Sequence, residues 1–289
     1  MLQLREKATK LIVKQYLATG QIPWSPGYIV YRQQLISETL ANRDLLSKFQ
    51  FNQTLPSGYG YGVDERCVEY PWLFSQLNEQ PEYILDAGST LNHSFILDQP
   101  IWEQKTLHIL TLFPEASCYW QRGISYLFAD LREIPIRDNY YHQLICLSTL
   151  EHIGLDNRQF SEEQLGQETQ PEDFLLAVKE MRRVLSPGGC LFLTVPFGKY
   201  KNIGTQQVFD NHLLKKAIST FAPQEVSKTF FSYTKSGWQL ADAQQCANCD
   251  YVDWIMLPEA TRPAQFPQQQ DNAAAARAVA CIKLVKPIT

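Results

Sequence analysis

From residue 82 onward the chain alternates short apolar runs with helical stretches, and this alternation constrains the fold more than any other feature. The runs are YILDAG at 83–88, TLHILTL at 106–112, SYLF at 125–128, QLICLS at 143–148 and CLFLTV at 190–195, all of strand length. Before the last of them a helix is expected at 171–185. Phe174, Val178, Met181 and Leu185 make its apolar face, Thr169 and Glu172 have capping-box spacing, and Pro187, Gly188 and Gly189 stop it. Strands joined by crossovers of this size predict a parallel sheet with right-handed connections. A helix at about 211–221, a strand at about 226–233 and a final strand, AVACIKLV at 278–285, follow.

Residues 1–80 have a different texture and read as a helical, aromatic-rich N-terminal extension, separate from a domain over 81–289. Leu11, Val13, Tyr16 and Leu17 suggest one amphipathic helix, and a second is expected from Tyr31 to Phe49. LPSGYGYG at 55–62 reads as a loop, because its three closely spaced glycines disfavour regular structure. A helix at about 67–77 leads into the first strand. Within the larger domain, residues 237–275 look like an insertion, with the Pro/Gln-rich stretch 258–270 as an irregular surface loop.

The 289 residues can bury a sizeable core, and 45% hydrophobic with 19% charged residues is a globular composition. Net charge is −4 with no Lys/Arg run, so no nucleic-acid partner is expected. No apolar run approaches the roughly 20 residues of a membrane span. The N-terminus lacks the pattern of a secretory signal. The seven cysteines are scattered, which fits reduced thiols and a cytoplasmic location better than a disulfide framework.

Four motifs stand in order: LDAGST at 85–90, FADLREIP at 128–135, HQLICLSTLEHI at 142–153 and MRRVLSPGGCLFLTVP at 181–196. On these residues the block from about 82 to 198 resembles the class I S-adenosylmethionine (SAM)-dependent methyltransferases, in particular a broad bacterial group. The resemblance implies a Rossmann-like α/β fold: a seven-stranded, mostly parallel sheet whose last strand is antiparallel. It also implies SAM as cofactor. Carried over by position, Asp86 and Gly88 lie under the methionine part of SAM, with Ser148 lining the same side. Asp130 accepts from the adenine amino group, and Leu131 lies beside the ring.

Two departures from the pattern stand out. Thr90 and Asn92 replace further glycines after the first strand, and Asn tolerates left-handed backbone. The second strand lacks the carboxylate that binds the ribose hydroxyls; it ends LTLFPE at 110–115, so that either Thr111 faces the ribose, Glu115 reaches back, or those contacts are lost.

Glu151 and His152 stand just past the fourth strand, either as a catalytic base for an acceptor that must lose a proton or as residues of a helix start. In this family the segment before the first strand often covers SAM. Tyr59 and Tyr61 are then lid residues and Arg66 a partner for the methionine carboxylate; the other reading is surface charge and core aromatics. Cys246 and Cys249 have half the spacing of a zinc site without a second half, so no metal is expected. His212 is read as near a helix start capped by Asp210. A nicotinamide-dependent oxidoreductase would need a GxGxxG turn, which is lacking. The resulting expectation is SAM-dependent methylation, through oxygen or nitrogen, of a small or medium-sized acceptor, a small molecule or a glycan-like one. The alternative is a non-catalytic protein of the same fold serving as a binding or scaffold subunit.

Overall fold

The computed structural model describes residues 2–158, 167–253 and 271–288, with only the backbone described for residues 2–6. The stretch 258–270, expected as an irregular loop, lies outside the described residues. Four helices come first: α1 (Leu2–Ala18), α2 (Tyr28–Ala41), α3 (Arg43–Gln50) and α4 (Arg66–Gln76). They are followed by β1 (Tyr83–Ala87), α5 (Ser94–Leu97), β2 (Thr106–Thr111), β3 (Ser125–Phe128), β4 (Tyr141–Leu147), α6 (Phe174–Val184) and β5 (Leu185–Pro196). Then come β6 (Lys201–Asn202), β7 (Gln207–Val208), α7 (Asn211–Phe221), β8 (Glu225–Thr234), β9 (Gly237–Ala241), α8 (Ala243–Cys246) and β10 (Ala278–Val285).

The chain forms two compact units, one of Met1–Gln76 with Phe230–Val279 and one of Leu77–Thr229 with Ala280–Thr289. Strands β8 and β10 each pass from one unit into the other. The main sheet has the order β3-β2-β1-β4-β5-β10-β8-β9. Pairing is parallel from β3 through β2, β1 and β4 to β5. Strand β10 runs the other way, as expected of the last strand. The Gly188 amide at the start of β5 donates to the Lys286 carbonyl just past the end of β10, at 3.0 Å, and the Lys286 amide donates to the Gly189 carbonyl at 2.9 Å.

The strand count corrects the expected seven: this sheet has eight strands. The additional one is β9, which returns from β8 through a tight turn and pairs antiparallel from Thr234↔Gly237 to Phe230↔Ala241. Gly237 has φ +81°, and a Cβ there would stand 2.2 Å from the Tyr59 carbonyl oxygen, so the hairpin needs glycine at this point.

In the second unit the core comes from the sheet and α6. Ile84, Leu85, Ile109, Leu144, Ile145, Leu191 and Leu193 are buried, and Phe174, Val178 and Met181 of α6 are buried as expected. Each such side chain contributes roughly 1.5–3 kcal/mol on burial. The capping box expected from Thr169 and Glu172 is not formed. Residues 171–173 make a turn instead, Asp173 takes the N-cap place without a side-chain cap, and Glu172 pairs with Lys216 at 2.5 Å. Helix α7 has its expected bounds and cap: Asp210 accepts from the Leu213 amide at 2.9 Å.

In the first unit the single helix expected from Tyr31 to Phe49 is two, α2 and α3. Asn42 leaves helical angles and its Oδ1 accepts from the Leu45 amide at 3.0 Å, so a capping residue within the apolar pattern divides it. On α1, Val13 and Tyr16 are buried, whereas Leu11 and Leu17 are exposed. Tyr28 links the helices to the next segment, its hydroxyl accepting from the Asp64 amide at 3.0 Å, and Arg32 of α2 pairs with the Asp64 carboxylate. The Trp238 indole donates to the Val63 carbonyl at 2.8 Å and the Trp24 indole to the Ala274 carbonyl at 2.8 Å. Much of the stretch expected as an insertion thus packs with the N-terminal helices in one unit.

Candidate functional site

In the second unit, the chain runs outward from β1 through β2 to β3, then starts again on the other side of β1 with β4 and β5. The order therefore reverses between β1 and β4. Outside the carboxyl ends of the strands at such a switch point is where open α/β sheets bind ligands. Asp86 lies opposite Ile145 in the register, so Gly88 and Ser148 leave the sheet side by side.

Asp86 is fully buried and folds the turn that follows it. Its Oδ2 accepts from the Leu91 amide at 2.8 Å, and its Oδ1 accepts from the Thr90 amide and hydroxyl at 3.3 and 3.2 Å. Gly88, at φ +117°, donates its amide to the Leu110 carbonyl of β2 at 2.8 Å. A Cβ on Gly88 would stand 2.2 Å from Thr149 Oγ1 and 2.7 Å from Thr149 Cβ, so this glycine admits the chain leaving β4. Ser89 carries the turn's left-handed angle, φ +60°, and its buried Oγ has no hydrogen-bond partner among protein groups.

Asn92 does not take the left-handed angle that its place in the turn suggested. Its amide does other work: Nδ2 donates to the Ser117 carbonyl at 2.9 Å and Oδ1 accepts from the Tyr126 hydroxyl at 2.7 Å. One side chain thus ties the turn after β1 to the segment after β2 and to β3. Thr111 ends β2 half-buried, and its carbonyl accepts from the Ala129 amide at 3.1 Å. Glu115 is half-buried four residues further on.

Asp130 follows β3 and is gripped by Arg132. The guanidinium reaches Asp130 Oδ2 at 2.6 Å, Glu168 Oε1 at 2.7 Å and Asp173 Oδ2 at 3.0 Å. The Arg132 amide also donates to Asp130 Oδ1 at 2.7 Å. Three carboxylates around one cation keep the Arg132 guanidinium charged, first through the hydrogen bonds to Asp130 and then those to Glu168. Leu131 beside it is buried.

Ser148 lies at φ +37°, an uncommon angle for a residue with a side chain. The strained position is secured by its amide, which donates to the Thr194 hydroxyl and carbonyl, each at 3.0 Å. Glu151 and His152 sit in a short 3-10 turn, Leu150–His152, rather than at the start of an α-helix. Glu151 is buried. The buried Cys146 thiol is pushed up by desolvation first and then by the Glu151 and Asp86 charges, which puts both carboxylates near the end of β4. His152 Nδ1 lies 2.8 Å from the Thr205 carbonyl. A carbonyl only accepts, so the neutral ring carries its proton on Nδ1 and its lone pair on Nε2.

Asp86, Gly88, Thr111, Asp130, Leu131, Ser148, Glu151 and His152 thus all stand at or just beyond the carboxyl ends of β1 to β4 in the second unit. Tyr59, Tyr61 and Arg66 belong to the first unit. Tyr59 is buried there, its hydroxyl donating to the Cys67 carbonyl at 2.6 Å and lying 3.1 Å from that of Thr39, with its ring against Phe49. The Tyr61 ring stacks on Tyr233 at 6.4 Å between centroids. Arg66 pairs with the buried Glu69 at 3.0 Å. Sequence reading missed Arg132, Thr149 and the bridging role of Asn92. The D-x-R spacing of Asp130 and Arg132 was a visible signal for the first; the other two depend on contacts between distant segments. Among the described residues no three His, Cys, Asp or Glu side chains gather as metal ligands.

No protein-family model and no curated protein sequence matches the chain. It is similar to the solved structure of the Burkholderia thailandensis 1,6-didemethyltoxoflavin-N1-methyltransferase with bound S-adenosylhomocysteine, at TM-score 0.41 and 12% identity over 72% of each chain. A putative methyltransferase from Bacillus halodurans is similar at TM-score 0.45 and 12% identity, over 73% of this chain and 95% of that one. The cyclase SpnF is similar at TM-score 0.47 and 14% identity, over 89% of this chain and 97% of that one.

Proposed function

We propose that the chain binds SAM at the carboxyl ends of β1 and β4 and transfers its methyl group to a small or medium-sized acceptor through oxygen or nitrogen. The observation that carries the reading is the switch point itself: a turn folded around Asp86 after β1 stands beside the strained Ser148 after β4. The donor set fits the cofactor. Buried carboxylates at the two strand ends, Asp86 and Glu151, favour a cation, and SAM is a sulfonium. The buried Ser89 Oγ offers a polar contact within the turn.

When bound, SAM supplies an electrophilic methyl group whose departure needs no acid, so the protein's part is alignment and exclusion of water. In this reading Asp86 holds the turn under the methionine part, with Gly88 and Ser148 beside it. Asp130, oriented by Arg132, accepts from the adenine amino group next to Leu131. Thr111 or Glu115 serves the ribose. His152, oriented through Nδ1 by the Thr205 carbonyl, takes a proton on Nε2 from an acceptor that must lose one, with Glu151 as the second candidate base. Tyr59, Tyr61 and Arg66 belong to the first unit and no part in this site is assigned to them; the Tyr59 ring and hydroxyl are committed to the core of that unit.

Titration calorimetry and thermal unfolding with SAM and S-adenosylhomocysteine test the reading. A ligand at about 100 times its dissociation constant adds roughly 2.7 kcal/mol of stability. A rise in melting temperature with both compounds, and none with nicotinamide dinucleotide, is the expected result. No heat and no shift at millimolar ligand would end it. A second reading, binding without turnover, is favoured by Thr111 where a ribose-binding carboxylate is expected. Binding with no S-adenosylhomocysteine formed across a panel of oxygen and nitrogen acceptors would favour it.

A further inference from the structure

The first unit holds a second constellation that methyl transfer does not use. Cys246 closes α8 and Cys249 follows three residues on. Helix α8 is short but fixed by a reciprocal cap. The Gln245 amide donates to Asp242 Oδ1 at 2.8 Å, and the Asp242 amide donates to Gln245 Oε1 at 2.9 Å. The turn after it is closed by the Cys249 amide, which donates to the Cys246 carbonyl at 2.9 Å. The chain beyond is pinned by backbone pairing: the Val252 amide donates to the Ala275 carbonyl at 3.0 Å and the Arg277 amide to the Asp250 carbonyl at 3.3 Å. Both sulfurs therefore sit on framework held from two sides.

The environments of the two thiols differ. Cys246 is fully buried, Cys249 half-buried. A hydrogen bond between the two thiols and the charge of the Arg277 guanidinium, itself tied to Asp271 at 2.5 and 3.0 Å, both act on Cys249. These two influences, the thiol hydrogen bond first, draw Cys249 down to about 7 against the opposing effects of burial and of the Asp250 charge. Cys246 moves up, through that same hydrogen bond and then burial. A half-exposed thiol near neutral poise beside a buried partner is the division of labour of attacking and resolving cysteines. A turn of this span keeps the two Cα atoms within about 7 Å, the separation a disulfide bridges.

We propose that Cys246 and Cys249 form a thiol–disulfide exchange site whose substrate is a small-molecule disulfide. The Cys249 thiolate attacks one sulfur of that disulfide, forming a mixed disulfide and releasing one thiolate. Cys246 then gives its proton to the released thiolate and attacks the Cys249 sulfur, closing the Cys246–Cys249 bridge and releasing a second thiolate, which takes from solvent the proton that Cys249 lost on ionising. Two protein thiols are oxidised and one disulfide is reduced to two thiols. Among the described residues no third ligand joins the pair for a metal.

The test uses the reduced full-length chain. In limited alkylation with iodoacetamide at pH 7, Cys249 is expected to react several-fold faster than the exposed Cys118; the gain in thiolate is partly offset by lower nucleophilicity. In graded glutathione and glutathione-disulfide buffers, peptide mapping is expected to find the Cys246–Cys249 bridge. A glutathione adduct on Cys249 should accumulate only in Cys246→Ala. The proposal is overturned if Cys249 reacts no faster than Cys118, or if the unsubstituted chain keeps glutathione on Cys249 without passing to the bridge. Both readings come from the unsubstituted protein and do not depend on a variant folding.

Discussion

Gly88 and Thr149 pack directly against each other: the space a Cβ would occupy on Gly88 is taken by the Thr149 side chain, with Oγ1 at 2.2 Å and Cγ2 at 2.4 Å. The glycine that ends β1 is thus required by the chain that leaves β4, and the switch point is a packed junction. Gly88→Ala faces both the clash and the left-handed φ of +117°. Left-handed backbone costs roughly 1–2 kcal/mol and overpacking roughly 1–3, so a loss of about 2–4 kcal/mol is expected in denaturant unfolding. Gly88→Ala with Thr149→Gly should recover part of it. Equal losses in the single and double variants would show that Thr149 is not the obstacle.

Asp130 and Arg132 make a second testable pair. If Asp130 accepts from adenine, Asp130→Ala should weaken S-adenosylhomocysteine binding by about 1.5–3 kcal/mol, roughly ten- to a hundredfold. Asp130→Asn should be milder, because one acceptor oxygen remains. Arg132→Met removes the cation that holds Asp130, Glu168 and Asp173 together, at 2.6, 2.7 and 3.0 Å, without touching Asp130 itself. Its affinity loss, read by calorimetry, should fall between those of the two Asp130 variants. Unchanged affinity in a folded Asp130→Ala protein would put the adenine elsewhere.

What the sequence disclosed was local. The bounds of β3, α7 and β10 follow from residue pattern and from the Asp210 cap, and the structure has them where the pattern puts them. Asp86 and Gly88 were singled out through the family resemblance of the LDAGST turn at the end of β1. The missed features depend on partners far along the chain. Asn42 interrupts a helix because its side chain caps the next one, which an apolar pattern continuous across it conceals. Glu172 left the expected capping box for Lys216, 44 residues away. The strand β9 is only five residues long, and its Trp238 is fixed by a bond to Val63 that no local pattern encodes. In the site, Asn92 reaches Ser117 and Tyr126, and Thr149 meets Gly88, contacts that only the folded sheet creates.

Arg183 and Glu180 give the second unit a pH dependence of known sign. The Arg183 guanidinium bonds Glu180 at 2.7 Å and the carbonyls of Ile134 and Ile136 at 2.8 Å each, while Glu180 accepts from the Ile134 amide at 2.9 Å. The Glu180 carboxyl is held below its usual value, chiefly by the Arg183 hydrogen bonds, with the Ile134 amide adding to them. A lowered folded-state value means this stabilisation is complete above the ordinary glutamate range, about 4.3, and is lost as pH falls through the lowered value. Glu180→Gln should therefore cost about 1–2 kcal/mol at neutral pH, both groups being partly exposed, and should flatten the fall in stability on the acid side. Parallel acid-side curves for the two proteins would remove Glu180 from the account.

Arg66 carries the last prediction, because its charge answers a buried acid. Within the first unit it pairs at 3.0 Å with Glu69, whose side chain is fully buried. The neighbouring Glu65 carboxyl is pushed up to about 8, by burial first and then by the Asp64 and Glu69 charges, so this segment gathers more acid than it readily holds. Removing the cation leaves that acid less compensated. Breaking a buried ion pair costs roughly 3–5 kcal/mol, and Arg66 is partly exposed, so Arg66→Ala should lose about 2–4 kcal/mol on unfolding. Glu69→Gln serves as the control. It breaks the same ion pair but leaves the guanidinium in place and removes one of the crowded acids, so it should cost less than Arg66→Ala. Equal losses in the two variants, read by denaturant unfolding, would show that balancing the surrounding acids is not what Arg66 contributes.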